Sequence, residues 1–274
     1  MSDPLERIAA ALERLAPPAP PPIDWDAHPG YVWDQAGVRA VPRIDAPPLA
    51  LLKGIDAQKA AVAGNVARLA SGAAAHDMLL WGARGMGKSA LLRAAVTTAQ
   101  AERPGALVLV QVAPDALTSL PALFAALWAS ERRFLVFLDD LGFESGDSLA
   151  ARHLRSWLEG GVEARPAHVR LAVTSNRRAI LERHLSEQDD PINPRDAVDD
   201  KLALADRFGL SVGFHAGSQD DYLAIVAGYA ETAGLAWEAG DALEWSKRRG
   251  SRSGRVAWQY VTELAGRAGK ALQL

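Results

Sequence analysis

Lys88 and Ser89 close the run Gly82-Ala83-Arg84-Gly85-Met86-Gly87-Lys88-Ser89, which carries the spacing G-x-x-x-x-G-K-S. That spacing suits a polyphosphate. The glycines let successive backbone N–H groups turn inward around phosphate oxygens. The Lys88 ammonium can reach β- and γ-phosphates, and the Ser89 hydroxyl can ligate Mg²⁺. Residues 82–89 together with Ala90, which begins the following helical pattern, form the candidate nucleotide-binding set.

Further along, the apolar run Phe134-Leu135-Val136-Phe137-Leu138 ends in Asp139-Asp140. Carboxylates at the C-terminal end of a parallel strand face the ligand crevice. Asp139 is the candidate for holding Mg²⁺ through water, and Asp140 for orienting or deprotonating an attacking water. A third apolar run, Leu171-Ala172-Val173-Thr174-Ser175, ends at Asn176. Asn176 can hydrogen-bond a γ-phosphate or the lytic water, or can satisfy its own turn.

Two arginines complete the set. Arg207 in Asp206-Arg207-Phe208-Gly209-Leu210 precedes the last strand and falls at the rim of the sheet, where it could reach a neighbouring subunit's γ-phosphate. A salt bridge with Asp206 or Asp200 is the local alternative. Arg255, in Ser253-Gly254-Arg255, opens the last helix and can fold back onto the nucleotide. The charge run Lys247, Arg248, Arg249 and Arg252 reads as a solvated face or a nucleic-acid contact, and no interleaved aromatics mark a stacking surface.

These side chains need a scaffold that delivers strand ends to one edge. Apolar runs predict strands over 77–81, 107–112, 134–139, 169–174 and 210–214, with helices between them. Alternation of that kind predicts a doubly wound, five-stranded parallel sheet in an α/β fold. Lys53-Gly54-Ile55-Asp56 begins a helix with Ile55, Val62, Val66 and Leu69 among its apolar positions. After Phe214 the strand signal stops. Ser218 reads as an N-cap, Tyr222, Ile225, Val226 and Tyr229 form an apolar helical stripe, and further helices fit 238–249 and 254–268. The expected division is 1–49, 50–216 and 217–274. The first part comprises a helix with Leu5, Ile8, Leu12 and Leu15 on one face, the proline spacer 17–22, and an irregular strap over 23–50. That helix docks on its own domain or serves as a partner-binding arm.

Composition removes several classes. The absence of cysteine excludes disulfides, thiol catalysis and cysteine-ligated metal, and suits a reducing cytoplasm. The six histidines have no metal-ligand spacing. A net charge of −3 gives no global argument for nucleic acid. No run approaches the length of a membrane span, and Met1-Ser2-Asp3-Pro4 does not open a signal peptide. The acidic stretch Glu187-Gln188-Asp189-Asp190-Pro191-Ile192-Asn193-Pro194 reads as an exposed loop or a docking surface.

The chain resembles the AAA+ ATPases over roughly residues 50–270. Gly82 to Ser89 matches Walker A, Leu135 to Asp140 Walker B, Thr174-Ser175-Asn176 sensor 1, Asp206-Arg207-Phe208 the arginine-finger box, and Ser253-Gly254-Arg255 sensor 2. With Asp139-Asp140-Leu141-Gly142-Phe143-Glu144, the match is most similar to a bacterial AAA+ family carried as a domain of unknown function. The resemblance implies a nucleotide sheet with a small C-terminal helical lid, ATP with Mg²⁺, and ring or filament homo-oligomers. ATP hydrolysis coupled to conformational change is the function it implies. A non-hydrolysing ATP switch, or a nucleic-acid remodeller in the manner of helicase loaders, is the alternative. Two departures stand out. Walker B ends in Asp139-Asp140 rather than Asp-Glu, which sets the second acid back by one methylene. The segment Ala113-Pro114-Asp115-Ala116-Leu117 lacks the aromatic-apolar-glycine loop of polypeptide-threading machines.

Overall fold

The computed structural model describes residues 3–8, 23–141, 158, 165–176 and 207–272. The proline spacer, Leu12 and Leu15, the segment Gly142-Phe143-Glu144, the acidic stretch 187–194, Asp200 and Asp206 lie outside the described residues.

The chain builds a sheet of seven strands rather than the five expected from sequence. In chain order they are β1 (Gly30–Asp34), β2 (Gly37–Val41), β3 (Met78–Gly82), β4 (Leu107–Val112), β5 (Arg133–Leu138), β6 (Val169–Ser175) and β7 (Leu210–Phe214). Across the sheet the order is β2-β1-β4-β5-β6-β3-β7. Neighbouring strands run parallel from β1 to β7, and only the β1–β2 hairpin is antiparallel. The five strands read from the apolar runs form the contiguous block β4-β5-β6-β3-β7. β6 sits between the glycine-loop strand β3 and the carboxylate strand β5.

The extra pair corrects the reading of residues 23–50 as an irregular strap. Pro29 and Pro42 flank the hairpin instead of interrupting it, so no ladder donor is lost inside a strand. The turn is set by Asp34, whose carboxylate accepts from the Ala36 N–H at 2.8 Å, and by Gly37 at φ +120°. The Trp33 indole donates to Ser119 Oγ at 2.7 Å, and Tyr31 packs edge-on against Trp25 at 4.8 Å. These contacts anchor β1, and its parallel ladder with β4 joins the hairpin to the edge of the sheet.

Period-two alternation along the central strands produces two apolar layers. Leu79, Trp81, Val136, Leu171 and Val173 face one side, where Leu120, Leu123 and Leu127 of α3 (Leu120–Leu127) cover them. Met78, Leu80, Leu135, Phe137 and Ala172 face the other, against α1 (Asp56–Ala70) and α2 (Lys88–Glu102). With both faces covered, the strands read as continuous apolar runs, which explains why the sequence located them.

After β7 the chain forms α4 (Gln219–Thr232), α5 (Ala239–Arg249) and α6 (Gly254–Arg267). Ser218 and Asp221 make a reciprocal capping box at the start of α4. The three helices pack around an apolar cluster of their own, including Tyr222, Val226, Tyr260 and Val261. Leu51, from the 3-10 turn Leu49–Leu51, joins that cluster and ties it to the segment before α1. Residues 4–8 are helical, and their Leu5 and Ile8 are exposed. No described helix is long and apolar enough to cross a membrane.

Candidate nucleotide site

The glycine-rich loop leaves β3 at Gly82 and enters α2 at Lys88. Gly85 and Gly87 adopt φ of +74° and +87°, backbone that side chains other than glycine rarely tolerate. This geometry places Lys88 at the helix N-terminus, where N–H groups without intrahelical partners and the helix dipole favour an anion.

Lys88 is 6% exposed, and its ammonium donates to three oxygens. These are the carbonyls of Gly82 and Ala83, each at 2.9 Å, and Asn176 Oδ1 at 3.0 Å. Ser89 Oγ donates to Asp139 Oδ1 at 2.6 Å, and Thr174 Oγ1 donates to the same oxygen at 2.6 Å. The Asp140 N–H donates to Thr174 Oγ1 at 2.8 Å, and Asn176 Nδ2 donates to Asp140 Oδ1. Three adjacent strand ends, β3, β6 and β5, therefore deliver Lys88, Asn176, Asp139 and Asp140 into one network. Thr174 joins the two acids. It was legible as part of the β6 run, yet only strand order reveals that it faces Asp139.

Ser89 and Asp139 suit a magnesium ion by chemistry. Both offer hard oxygen, and Mg²⁺ is ordinarily held by one or two protein oxygens plus water and phosphate rather than by a protein cage. No group of three or more acidic or histidine side chains forms a cage among the described residues.

Burial pushes the Lys88 ammonium below the ordinary lysine range. Asp140 and Asp139 oppose the shift, while Arg255 and Arg84 reinforce it. The penalty for burying the charge applies below the depressed folded pKa and is relieved as pH rises through it. A bound polyphosphate favours the charged form, so binding should draw in a proton near that pKa. Affinity for a polyphosphate is expected to fall as pH rises through it. Calorimetry at alkaline pH in buffers of different ionisation enthalpy should show proton uptake, and Lys88→Ala should not.

The network opens into a cleft of about 970 Å³. Residues 85–90, Asp139, Asp140, Thr174, Asn176 and Arg255 line one part of it. Leu51, Leu52, Ile55, Ile225, Tyr229 and Trp258 line an apolar part. Tyr229 and Trp258 meet edge-on at 5.3 Å. Sequence reading placed Tyr229 on an apolar stripe and passed over Trp258. The signal available for both was helical spacing, which marks a buried face without saying what covers it.

Arg255 reaches the loop through backbone as well as charge. Its N–H donates to the Gly85 carbonyl at 3.3 Å, so the N-terminus of α6 rests on the glycine-rich loop. Ser253, 3% exposed, caps α6 by accepting from the Val256 N–H. Gly85 has no room for a side chain there, because a Cβ would lie 2.9 Å from Ser253 Oγ.

Other candidates fall outside the cleft. Gly82, Ala83 and Arg84 do not line it. Arg84 is exposed and lies 3.7 Å from Asp140. Arg207 precedes β7, at the end of that parallel strand away from the glycine-rich loop, and is not part of the cleft wall.

A family model described as "Protein of unknown function (DUF815)" matches residues 26–268. No curated protein matches the sequence. Among solved structures, the chain is similar to the Orc1 protein of Aeropyrum pernix in complex with DNA. There the TM-score is 0.57 at 16% identity, over 79% of this chain and 61% of that one. A variant of Thermotoga maritima RuvB gives 0.53 at 16% identity, over 82% and 67% of the two chains. The same organism's RuvB, described as a Holliday junction branch migration motor, gives 0.50 at 16% identity, over 82% and 68%. What this likeness shows is the fold, an α/β fold of the AAA+ ATPase type.

Proposed function

The chain belongs to the DUF815 family, and from its site we propose that it binds and hydrolyses ATP with Mg²⁺. In this reading, nucleotide state drives conformational change and self-assembly. The observation that carries the reading is the convergence on Lys88. A buried ammonium at a helix N-terminus, held by two loop carbonyls and Asn176, sits beside a serine–aspartate pair. Buried cations are costly unless paired, and a polyphosphate would complete this one.

Each residue then has a role. Residues 85–90 cradle phosphate, Lys88 neutralises the β- and γ-oxygens, and Ser89 and Asp139 hold the metal. When bound, Mg²⁺ would neutralise charge on the phosphate oxygens. Asp140 orients or deprotonates water, and Asn176 positions it from the other side of Lys88. Arg255 reports on the nucleotide from α6, and helices α4–α6 act as the lid of a division at 216/217. Arg207 lies away from its own cleft, which supports its use in a neighbouring subunit's site. Homo-oligomers, as a ring or filament, follow from that placement, with a cytoplasmic location the natural setting.

The test is steady-state ATP turnover against protein concentration. Specific activity should rise with concentration if subunits complete each other's sites. Lys88→Ala should lose turnover and weaken ATP binding by about 10- to 100-fold, the value of charge-assisted hydrogen bonds to phosphate. Unchanged binding in that variant would remove the assignment.

One observation favours a non-hydrolysing switch as second reading: the Asp140 carboxylate is already engaged by Asn176 and faced by Arg84. The nucleic-acid reading has less support. Lys247, Arg248 and Arg249 occupy the last turn of α5, where the helix dipole favours cations. Arg248 pairs with Glu244 at 3.6 Å and Arg249 lies over the Trp245 ring at 5.0 Å, so local contacts account for part of the run.

A further inference from the structure

The cleft holds charged side chains that the phosphate chemistry leaves unused. Arg43 and Asp45 line it from the segment after β2, and Arg93 lines it from α2. In that segment Ile44 packs against the α1–α2 layer and close to Gly30, while Arg43 and Asp45 are exposed. Arg93 lies four residues beyond Ser89 on the same face of α2, about 6 Å along the axis.

None of these three closes on another. Asp45 has neither an ion pair nor a side-chain hydrogen bond with any described residue, although two arginines share its cleft. Arg93 Nε is shut off from solvent and has no hydrogen-bond partner. Being shut off, Nε is out of a ligand's reach; the terminal nitrogens of the same guanidinium are not, and Arg93 lines the cleft. These groups share the cleft with the apolar wall of Leu51, Leu52, Ile55 and Trp258, which suits a flat base. Between a base and a triphosphate lies a sugar with two vicinal hydroxyls. Hydroxyls donate to a carboxylate and accept from a guanidinium.

We infer that Asp45 is a specificity-determining residue that accepts from the ribose hydroxyls, with Arg93 donating to a ribose oxygen, so that the cleft selects ribonucleotides over deoxyribonucleotides. The inference rests on the ATP-binding reading and adds a sugar preference to it. A site built to hydrogen-bond a hydroxyl rejects the analogue lacking it, because its polar groups are then left unpaired.

The experiment is equilibrium binding of ATP, 2′-deoxy-ATP and 3′-deoxy-ATP to the full chain, its Asp45→Ala and Asp45→Asn variants, and Lys88→Ala. The wild type should bind ATP about 10-fold tighter than at least one deoxy analogue, the value of one hydrogen bond to a charged group. In Asp45→Ala that ratio should fall to about one, through loss of ATP affinity rather than gain for the analogue. Asp45→Asn should lose most of the preference while keeping the shape of the side chain. A wild type without sugar preference, or a preference retained in Asp45→Ala, overturns the inference. If Lys88→Ala binds ATP as well as the wild type, the parent reading fails. If it does not and the sugar ratio is insensitive to Asp45, the sugar inference alone fails.

Discussion

Gly82→Ala is expected to unseat β7 and abolish nucleotide binding in the same step. Gly82 adopts φ +123° and pairs in register with Phe214. A Cβ built there would lie 2.0 Å from the Phe214 carbonyl oxygen and 2.8 Å from its carbon. Both are backbone atoms, so no rotamer change relieves the clash. The same carbonyl accepts from the Ala83 N–H at 2.9 Å, which is the contact that aims the loop. Two costs add: an unfavourable φ and a displaced strand. We expect a loss of at least about 4 kcal/mol, or a melting temperature lower by roughly 10 °C. Gly64 makes the contrast. It lies within α1, and a Cβ there would meet nothing within 4 Å, so Gly64→Ala should stabilise by about 0.5–1 kcal/mol through helix propensity. Thermal melts of the two variants beside the wild type decide it. Equal melting temperatures would mean that the close approach of β3 and β7 is not required.

The contrast shows which parts of this protein were legible in the sequence. Met78 to Trp81, Leu107 to Val110 and Phe134 to Leu138 are buried on both faces, so their signal is an unbroken apolar run. The hairpin at 30–41 has no such signal. Its strands are short, proline flanks them, and β2 pairs on one side only, leaving Arg39 and Ala40 exposed. Its parallel partner β4 is distant in the chain, and such pairing leaves no local trace. In the site, Lys88, Ser89, Asp139, Asp140 and Asn176 were found because each follows a strand or a glycine-rich turn. Asp45 and Arg93, which line the same cleft, were passed over for the opposite reason. One lies in a segment without a motif, and the other is an ordinary helix residue until α2 is placed beside the cleft. The lean of α6 on Gly85 was equally invisible, because it is a backbone contact between residues far apart in sequence.

Asp140→Asn carries the other large effect, because it separates a hydrolytic site from a switch. Asp140 is a non-glycine residue at φ +53°, its N–H held by Thr174 and its carboxylate by Asn176. Left-handed backbone is costly for most side chains and least so for aspartate and asparagine. The strand end thus gives a physical reason for the shorter acid where AAA+ chains carry glutamate. Glutamate would gain reach but meet a backbone that disfavours it by about 1 kcal/mol. Asparagine keeps the backbone preference and the hydrogen-bond shape while removing the base. For a hydrolytic site, Asp140→Asn should bind ATP within about threefold of wild type and turn it over at least about 100-fold more slowly, the ordinary cost of losing a general base. For a switch, wild-type turnover is already at the Lys88→Ala blank, and Asp140→Asn leaves it there. Asp140→Glu then separates strain from reach. A rise in turnover would show that the methylene limits the wild type, and a fall with lower stability would show that the left-handed strand end selects aspartate.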